Sequence, residues 1–384
     1  MGEPMAEPRS IFEEVGADTP QREKAKTGII DQGGGRGARK AIRAWLMALF
    51  GLIVMMIVVG GLTRLTDSGL SITEWNLVSG TLPPLNETDW ATEFEKYQAS
   101  PEYRLQNEGM SMSAFQQIYW WEWGHRQLGR FIGVVWIIGF LGFLAARKIP
   151  KGWTGRLLSV GVLIGVQGAI GWWMVHSGLQ GDRVDVASYR LATHLGVAFV
   201  ILGLILWNIL LLGRSEADNM QARRLRERSL FGMGTGLMHL AFLQIVLGAL
   251  VAGIDAGRSF VDWPMMAGQV FPPEAFSIEP VWRNFFENPG LVQFMHRVVG
   301  YLLALFAIGA FFRGRKGATK GVRVAFMLAS AMVLLQMVLG IITVLNAAML
   351  HIAITHQAGA ILTWSLIILA RFRAGYPQAQ SVRG

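Results

Sequence analysis

The sequence predicts an all-α integral membrane protein with eight transmembrane helices arranged as two pseudo-symmetric four-helix bundles. Three observations predict it. Of the 384 residues 52% are hydrophobic and only 16% charged, with a mean hydropathy of +0.38, a composition that does not fit a soluble protein. Mostly apolar stretches of the roughly 18–20 residues that a helix needs to cross the hydrocarbon core occur eight times. The second half of the chain also repeats motif residues of the first, in the same order.

Residues 1–43 are polar, with Gly33, Gly34 and Gly35 in a row and no apolar h-region, so they read as a disordered cytoplasmic tail and not as a signal peptide. Apolar runs at about 44–62, 119–146, 157–175 and 189–212 make the first bundle, 44–212. Residues 213–229 form a cytoplasmic linker. Runs at about 230–253, 291–312, 324–345 and 352–370 make the second bundle, 230–370, and 371–384 form a cytoplasmic tail. No alternating strand pattern competes.

The net charge of +9 would suggest nucleic acid for a soluble protein. Here 25 of the 35 Lys and Arg fall in the two tails and in loops 147–156, 213–229 and 313–323, all on one side of an eight-span bundle. The opposite loops carry Glu87, Asp89, Glu93, Glu95, Glu102 and Glu108. The positive-inside rule then puts both termini in the cytoplasm and the long loops 63–118 and 254–290 outside, with lipid and not nucleic acid as the surrounding partner. Trp90, Phe94 and Tyr97 recur at helical spacing in the first long loop, as expected of a helix lying on the membrane surface or solvated in the loop. The absence of cysteine excludes disulfides, thiolate nucleophiles, iron–sulfur clusters and Cys-containing zinc sites.

Asp67, Gly69, Ser71, Trp75, Gly80 and Pro84 recur as Asp255, Gly257, Ser259, Trp263, Gly268 and Pro272, at an offset of 188. His125, Arg126 and Gly129 recur as His296, Arg297 and Gly300, Gln167 and Gly171 as Gln336 and Gly340, and Thr193 and His194 as Thr355 and His356. Two sets of four helices, both entering from the cytoplasm, make a parallel repeat.

His125, His194, His296 and His356 fall on the four even-numbered spans, each about five residues from the outer end, or roughly 8 Å deep. An interfacial histidine bonded to a carbonyl is the ordinary reading of any one of them; four matched by repeat, depth and direction point to a function. With neither carboxylate nor thiolate to complete a zinc shell, paired axial ligation of an iron porphyrin suits two imidazoles per half better. Arg126 and Arg297 then stand where haem propionates need a counter-charge, with snorkelling to headgroups as the alternative. His176 and His351 read as wet interfacial residues, and mid-span His239 as a hydrogen-bonded core histidine or a step of a proton path.

The halves differ at Glu122, one helical turn before His125, whose counterpart is Gln293. A carboxylate within a span is a functional candidate by default, with an ion pair to Arg126 or Arg130 as the alternative. The first half is therefore the expected place of chemistry and the second the place of a permanent haem.

The stretch Gly60-Gly61-Leu62-Thr63-Arg64-Leu65-Thr66-Asp67-Ser68-Gly69-Leu70-Ser71, the segment Glu122-Trp123-Gly124-His125-Arg126, and the segments around His194, His296 and His356 resemble the haem A synthase family over about residues 41–373. The resemblance implies oxidation of a haem O methyl group to a formyl group through a hydroxylated intermediate, giving haem A for cytochrome oxidase. It implies substrate haem O on His125 and His194, with Glu122 transferring protons, and a cofactor haem b on His296 and His356. It also implies an electron acceptor, which the sequence does not identify, and delivery by a haem O synthase. Some bacterial members carry a cysteine pair in the first outer loop; its absence here matches the proteobacterial and mitochondrial branch and, with the charge pattern, a bacterial inner membrane. From the residues alone, a di-haem electron carrier linked to quinone suits four histidines equally well, and a transporter suits the repeat. Glu122 opposite Gln293 favours the enzyme.

Overall fold

The computed structural model describes residues 35–181 and 183–378. In chain order its helices are α1 (Arg36–Leu65), α2 (Glu87–Gln98), α3 (Pro101–Gln106), α4 (Met112–Ala145), α5 (Thr154–Gly178), α6 (Ser188–Leu212), α7 (Glu216–Arg224), α8 (Arg228–Gly253), α9 (Asn284–Glu287), α10 (Pro289–Gly314), α11 (Lys320–Leu345) and α12 (Leu350–Gly375). Among the described residues the only β pairing is an isolated bridge between Met266 and Gln269.

Eight of the helices, α1, α4, α5, α6, α8, α10, α11 and α12, are long and apolar enough to cross a membrane. The starts of several helices, spans and loop helices alike, follow local chemistry. Asn86, Ser100, Ser111, Asn288 and Thr319 each accept from a backbone N–H of the first turn, and Pro101 and Pro289 stand where a missing N–H costs nothing.

Neighbouring helices α1, α4, α5 and α6 pack in one ring, and α8, α10, α11 and α12 in a second. This is the contact pattern expected of two four-helix bundles. The rings meet through α6, the most enclosed helix, which packs on α8 and α12. Trp364 Nε1 donates to Phe199 O at 3.0 Å, and Gln357 Nε2 donates to Ile57 O at 2.7 Å, so α12 is bonded to both α6 and α1. Phe131, Ile138, Leu305 and Leu335 point away from the packing, as side chains facing acyl chains do.

The ends differ from expectation in three places. Helix α1 begins at Arg36, inside the segment expected to be a tail, because Arg39 ties this first turn to the end of α6 and the start of α7: it donates to Leu211 O at 3.3 Å and Arg214 O at 2.5 Å and pairs with Glu216 at 3.3 Å. The linker 213–229 contains α7, started by a capping box at Ser215 and Asp218. The last helix runs through Arg371 to Gly375, within the expected terminal tail. Residues 1–34 and 379–384 of the two expected tails lie outside the described residues.

The long loops sit at the end assigned to the outside, called the outer end below. There α4 starts at Met112, not near residue 119, and projects beyond the apolar span. Helices α2 and α3 fold onto this projection, with Trp90, Phe94, Tyr97 and Tyr103 gathered around Phe115 and Tyr119; the Tyr97 and Phe115 rings stack at 5.3 Å. The aromatic stripe of α2 therefore packs on its own chain instead of the membrane surface, because α4 supplies an apolar face that a span-by-span hydropathy reading truncates. Among the described residues α2 and α3 have no counterpart in the second half, whose matching loop holds the four-residue α9 and two three-residue 3-10 turns, Ala256–Arg258 and Val281–Arg283.

Candidate functional site

Each of the four histidines is half-buried and packs on a glycine of the preceding long helix. His125 lies against Gly60 of α1, His194 against Gly171 of α5, His296 against Gly248 of α8, and His356 against Gly340 of α11. A Cβ at Gly171, Gly248 or Gly340 would stand 2.9–3.0 Å from the imidazole Cε1, and at Gly60 3.2 Å from it, so each ring occupies a notch that any side chain would fill. His194 lies within electrostatic reach of His125, and His296 of His356, so the rings gather in pairs, one pair per half.

Glutamines orient three of the four. Gln167 Nε2 donates to His194 O at 2.9 Å and lies 3.1 Å from Nδ1; Gln336 Nε2 does the same at His356, at 2.6 and 3.1 Å. Gln244 Nε2 lies 3.2 Å from His296 Nε2. The position matching Gln244 in the first half is Met56, and no hydrogen bond reaches the His125 ring among the described residues. Both imidazoles of the second half are thus braced by an amide, but only one of the first.

The residues fit an iron porphyrin. Two imidazoles within electrostatic reach of each other in a helix bundle could supply axial ligands, and the pairs bring no thiolate of the kind that a bare ion would need to fill its shell. The amide oxygens of Gln167, Gln244 and Gln336 and His296 Nδ1 are buried without a partner, polar atoms that the protein alone leaves unsatisfied.

Above each pair an arginine clamps the outer loop. Arg126 Nη2 donates to Ile72 O at 2.7 Å and Nη1 to Glu74 O at 2.8 Å; Arg297 Nη2 donates to Phe260 O at 3.1 Å and Asp262 O at 2.9 Å. Residues 72 and 74 correspond to 260 and 262 at the repeat offset, so the clamp itself is repeated. The loops enter it through matching left-handed turns, Asp67 at φ 48° and Asp255 at φ 50°, a conformation that aspartate tolerates.

The difference between halves lies inside this clamp. Glu122 is 3% exposed; its Oε2 accepts from Ser71 Oγ at 2.7 Å and Ile72 N at 2.8 Å, and its Oε1 accepts from Arg126 Nη2 at 2.5 Å and Nε at 3.1 Å. Gln293 instead donates to Phe260 O at 3.1 Å and accepts from Arg297 at 3.2 Å. The ion pair of Glu122 with Arg126, one of the two sequence readings, is present, and it cancels the Arg126 charge locally. Among the described residues Arg297 has no carboxylate partner in its hydrogen-bonding shell. The sequence pointed to Glu122 and both arginines; it did not show that Ser71 and the Ile72 amide complete the carboxylate's shell, for which only the recurrence of Ser71 as Ser259 was a signal.

The other histidines stay apart. His176 is exposed and lies 2.9 Å from Gln180 Nε2, and His351 is exposed at the start of α12. His239, expected in the core, is exposed on the outside of α8, because the buried side of that helix is taken by Leu237 and Ala241.

Residues 43–368 match the family model described as cytochrome oxidase assembly protein. The chain is 62% identical to the heme A synthase of Ruegeria sp. (strain TM1040), over 98% of this chain and 99% of that one, and 62% identical to the heme A synthase of Roseobacter denitrificans, over 99% and 100%. It is 60% identical to the heme A synthase of Dinoroseobacter shibae, over 99% of each. With the match reaching into all eight membrane-crossing helices of the described residues and covering all four histidines, the chain belongs to the cytochrome oxidase assembly protein family.

Proposed function

We propose that this multi-pass membrane protein is a heme A synthase, an oxidoreductase that converts a methyl group of haem O to a formyl group through a hydroxylated intermediate. Near-full-length identity of about 60% to curated heme A synthases supports the activity. The reading places it in a bacterial inner membrane with both termini cytoplasmic. A di-haem carrier has no observation in its favour beyond the four histidines.

The single observation that carries the division of labour is the unequal bracing of the two pairs. His296 and His356 both touch a glutamine side chain, Gln244 at Nε2 and Gln336 at Nδ1, contacts that fix the position of each ring, so they hold the resident haem b. His125 and His194, with only Gln167 between them as a brace, hold haem O, which has to enter and leave. The bound haem b would supply electron transfer between the substrate half and the acceptor. Arg297, lacking a carboxylate partner, offers its charge to a propionate; Arg126 is neutralised by Glu122 and acts mainly by fixing the loop.

Each oxidation step releases protons, and Glu122 is the acceptor at hand. All four of its contacts come from donors, so a proton reaches Oε2 through Ser71 Oγ, along the hydrogen bond that already joins them. Haem O arrives from the membrane enzyme that makes it, and electrons leave to a separate acceptor.

The test is conversion of haem O by the purified protein, followed by chromatography of the extracted haem. Glu122→Gln copies the second half and should keep haem while slowing product formation by about 10²–10⁴-fold. His296→Ala or His356→Ala should lose haem b, whereas His125→Ala or His194→Ala should keep most of it and abolish turnover. Equal loss from both halves would sink the assignment.

A further inference from the structure

At the inner end of the helices, opposite the four histidines, two arginines share one aromatic ring. Phe231 stands in the first turn of α8; Cζ of Arg371, from α12, lies 4.4 Å from its ring centroid, and Cζ of Arg226, from the loop between α7 and α8, lies 4.5 Å from it. Arg371 Cζ also lies 4.9 Å from the centroid of Trp207, in α6. The backbones fix this arrangement. A Cβ at Gly234 would stand 2.9 Å from Arg371 Cα, a Cβ at Gly375 would stand 2.9 Å from the Phe231 ring, and Glu227 N donates to Ala374 O at 3.0 Å. A third cation stands on the adjoining rings: Arg214 Cζ lies 5.3 Å from the centroid of Phe372, which itself packs on Trp207.

Two charges over one ring are no farther apart than about a Debye length, roughly 8–10 Å, and repel. The ring attracts each cation but does not remove that repulsion. Nor does a carboxylate: among the described residues neither Arg226 nor Arg371 forms an ion pair, and the nearby acids are engaged elsewhere. Glu227 Oε2 accepts from Ala318 N at 3.1 Å, Glu216 is held by Arg39 and Trp153, and Asp218 caps α7. Arg371 Nε donates to Thr235 Oγ1 at 2.9 Å, and Arg226 Nε is buried without a partner. The terminal nitrogens of both arginines are accessible and bond to none of the described residues. Snorkelling accounts for the exposed Arg223, Arg224 and Arg228 of the same stretch, but not for two half-buried guanidinium groups folded onto one ring.

We infer that Arg226 and Arg371, with Arg214 beside them, bind the phosphate of an anionic phospholipid headgroup where the two bundles join. The free guanidinium donors match the oxygens of a phosphodiester, and its charge relieves the repulsion between the arginines. Lipid is favoured over a free anion by position. Helices α6 and α12 end here and α8 begins, so the site lies at headgroup level, where anionic lipids collect against basic groups. The rings of Trp207 and Phe231 offer the glycerol and first acyl carbons an apolar floor. Because α6 belongs to the first ring of helices and α8 and α12 to the second, one headgroup ties both halves at the end away from their histidines. The site does not depend on the reaction assigned to the outer end.

The test uses the full-length protein in nanodiscs of phosphatidylcholine, with or without phosphatidylglycerol, and native mass spectrometry of the same protein after washing in neutral detergent. The wild type should retain phosphatidylglycerol in preference to phosphatidylcholine and melt at a higher temperature when phosphatidylglycerol is present. Arg226→Gln and Arg371→Gln should each weaken that retention by about fivefold, with Arg226→Lys and Arg371→Lys keeping part of it. Arg223→Gln, at an exposed position of α7, should change neither readout. Inorganic phosphate added to phosphatidylcholine discs should leave the Tm where it was. Equal retention of both lipids by the wild type, or the same loss from Arg223→Gln as from Arg371→Gln, overturns the site. A Tm gain from inorganic phosphate equal to that from phosphatidylglycerol overturns the lipid in favour of a free anion. Should the glutamine variants fail to fold, the wild-type comparison of the two lipids decides.

Discussion

A single amide separates the two halves at their histidines. Gln244 braces His296 where Met56 stands in the first half, so Gln244→Met should loosen the second half toward the first and weaken haem b retention by about 10–100-fold, read from the absorption of protein washed free of excess haem. Gly340→Ala tests the notch: a methyl 3.0 Å from His356 Cε1 pushes the ring from its seat, and haem b occupancy should drop while the helix, which alanine favours, remains formed. Glu102, 3% exposed in α3, sets a pH dependence of stability. Burial pushes its folded value up to about 8, above the ordinary 4.5, so its contribution is complete below about 4.5 and is lost as pH rises through 8. The Tm of the wild type should fall across that window more than the Tm of Glu102→Gln. Gln167, Gln336, Gly171 and Gly340 were visible in the sequence because they repeat as a set. Gln244 was not, because its importance lies in having no repeat partner.

At the scale of elements, the spans were legible to within a few residues, since lipid leaves a backbone no alternative to a helix. Their projections were not. Hydropathy registers what lipid touches, and the turns of α4 from Met112 to Ile118 are instead covered by α2 and α3 on the one face that carries Met112, Phe115 and Ile118. The cap depends on Phe115, which is fully buried among Trp90, Phe94, Tyr97 and Tyr119. Phe115→Ala should cost about 3–5 kcal/mol locally. Limited proteolysis should then cut within 87–106 while the membrane helices stay intact; unchanged resistance would mean that the cap is held from elsewhere.

For the whole molecule, the repeat was legible as a list of matched residues, but the contact between the halves was not, because its central residue has no matched partner. Arg64 of α1 bonds Asp67 at 2.8 Å and Asp255 at 2.8 Å and approaches Asp185 at 3.4 Å, tying the corresponding turns of both halves to the loop between α5 and α6. Its place in the second half is held by Ala252. Arg64→Met leaves three carboxylates facing one another, and since each is about two-fifths exposed the loss should be about 1–2 kcal/mol, partly recovered by salt. A Tm that ignores both the substitution and the ionic strength would rule out this tie. Topology is tested by reporters: one after residue 384 should work only in the cytoplasm, and one near Asn86 only outside.

His194, His296 and His356 all lie at about the second turn of their helices, and His125, behind the α4 projection, pairs with His194 at the same level. Under the proposed function and topology, the two sites therefore stand side by side in one leaflet. An electron passing from one half to the other travels parallel to the bilayer and crosses almost none of the transmembrane voltage, which would otherwise weigh on it by about 2.3 kcal/mol per 100 mV. On this reading exchange between the two sites should be electrically silent, with the same rate in sealed vesicles whether or not the membrane is energised.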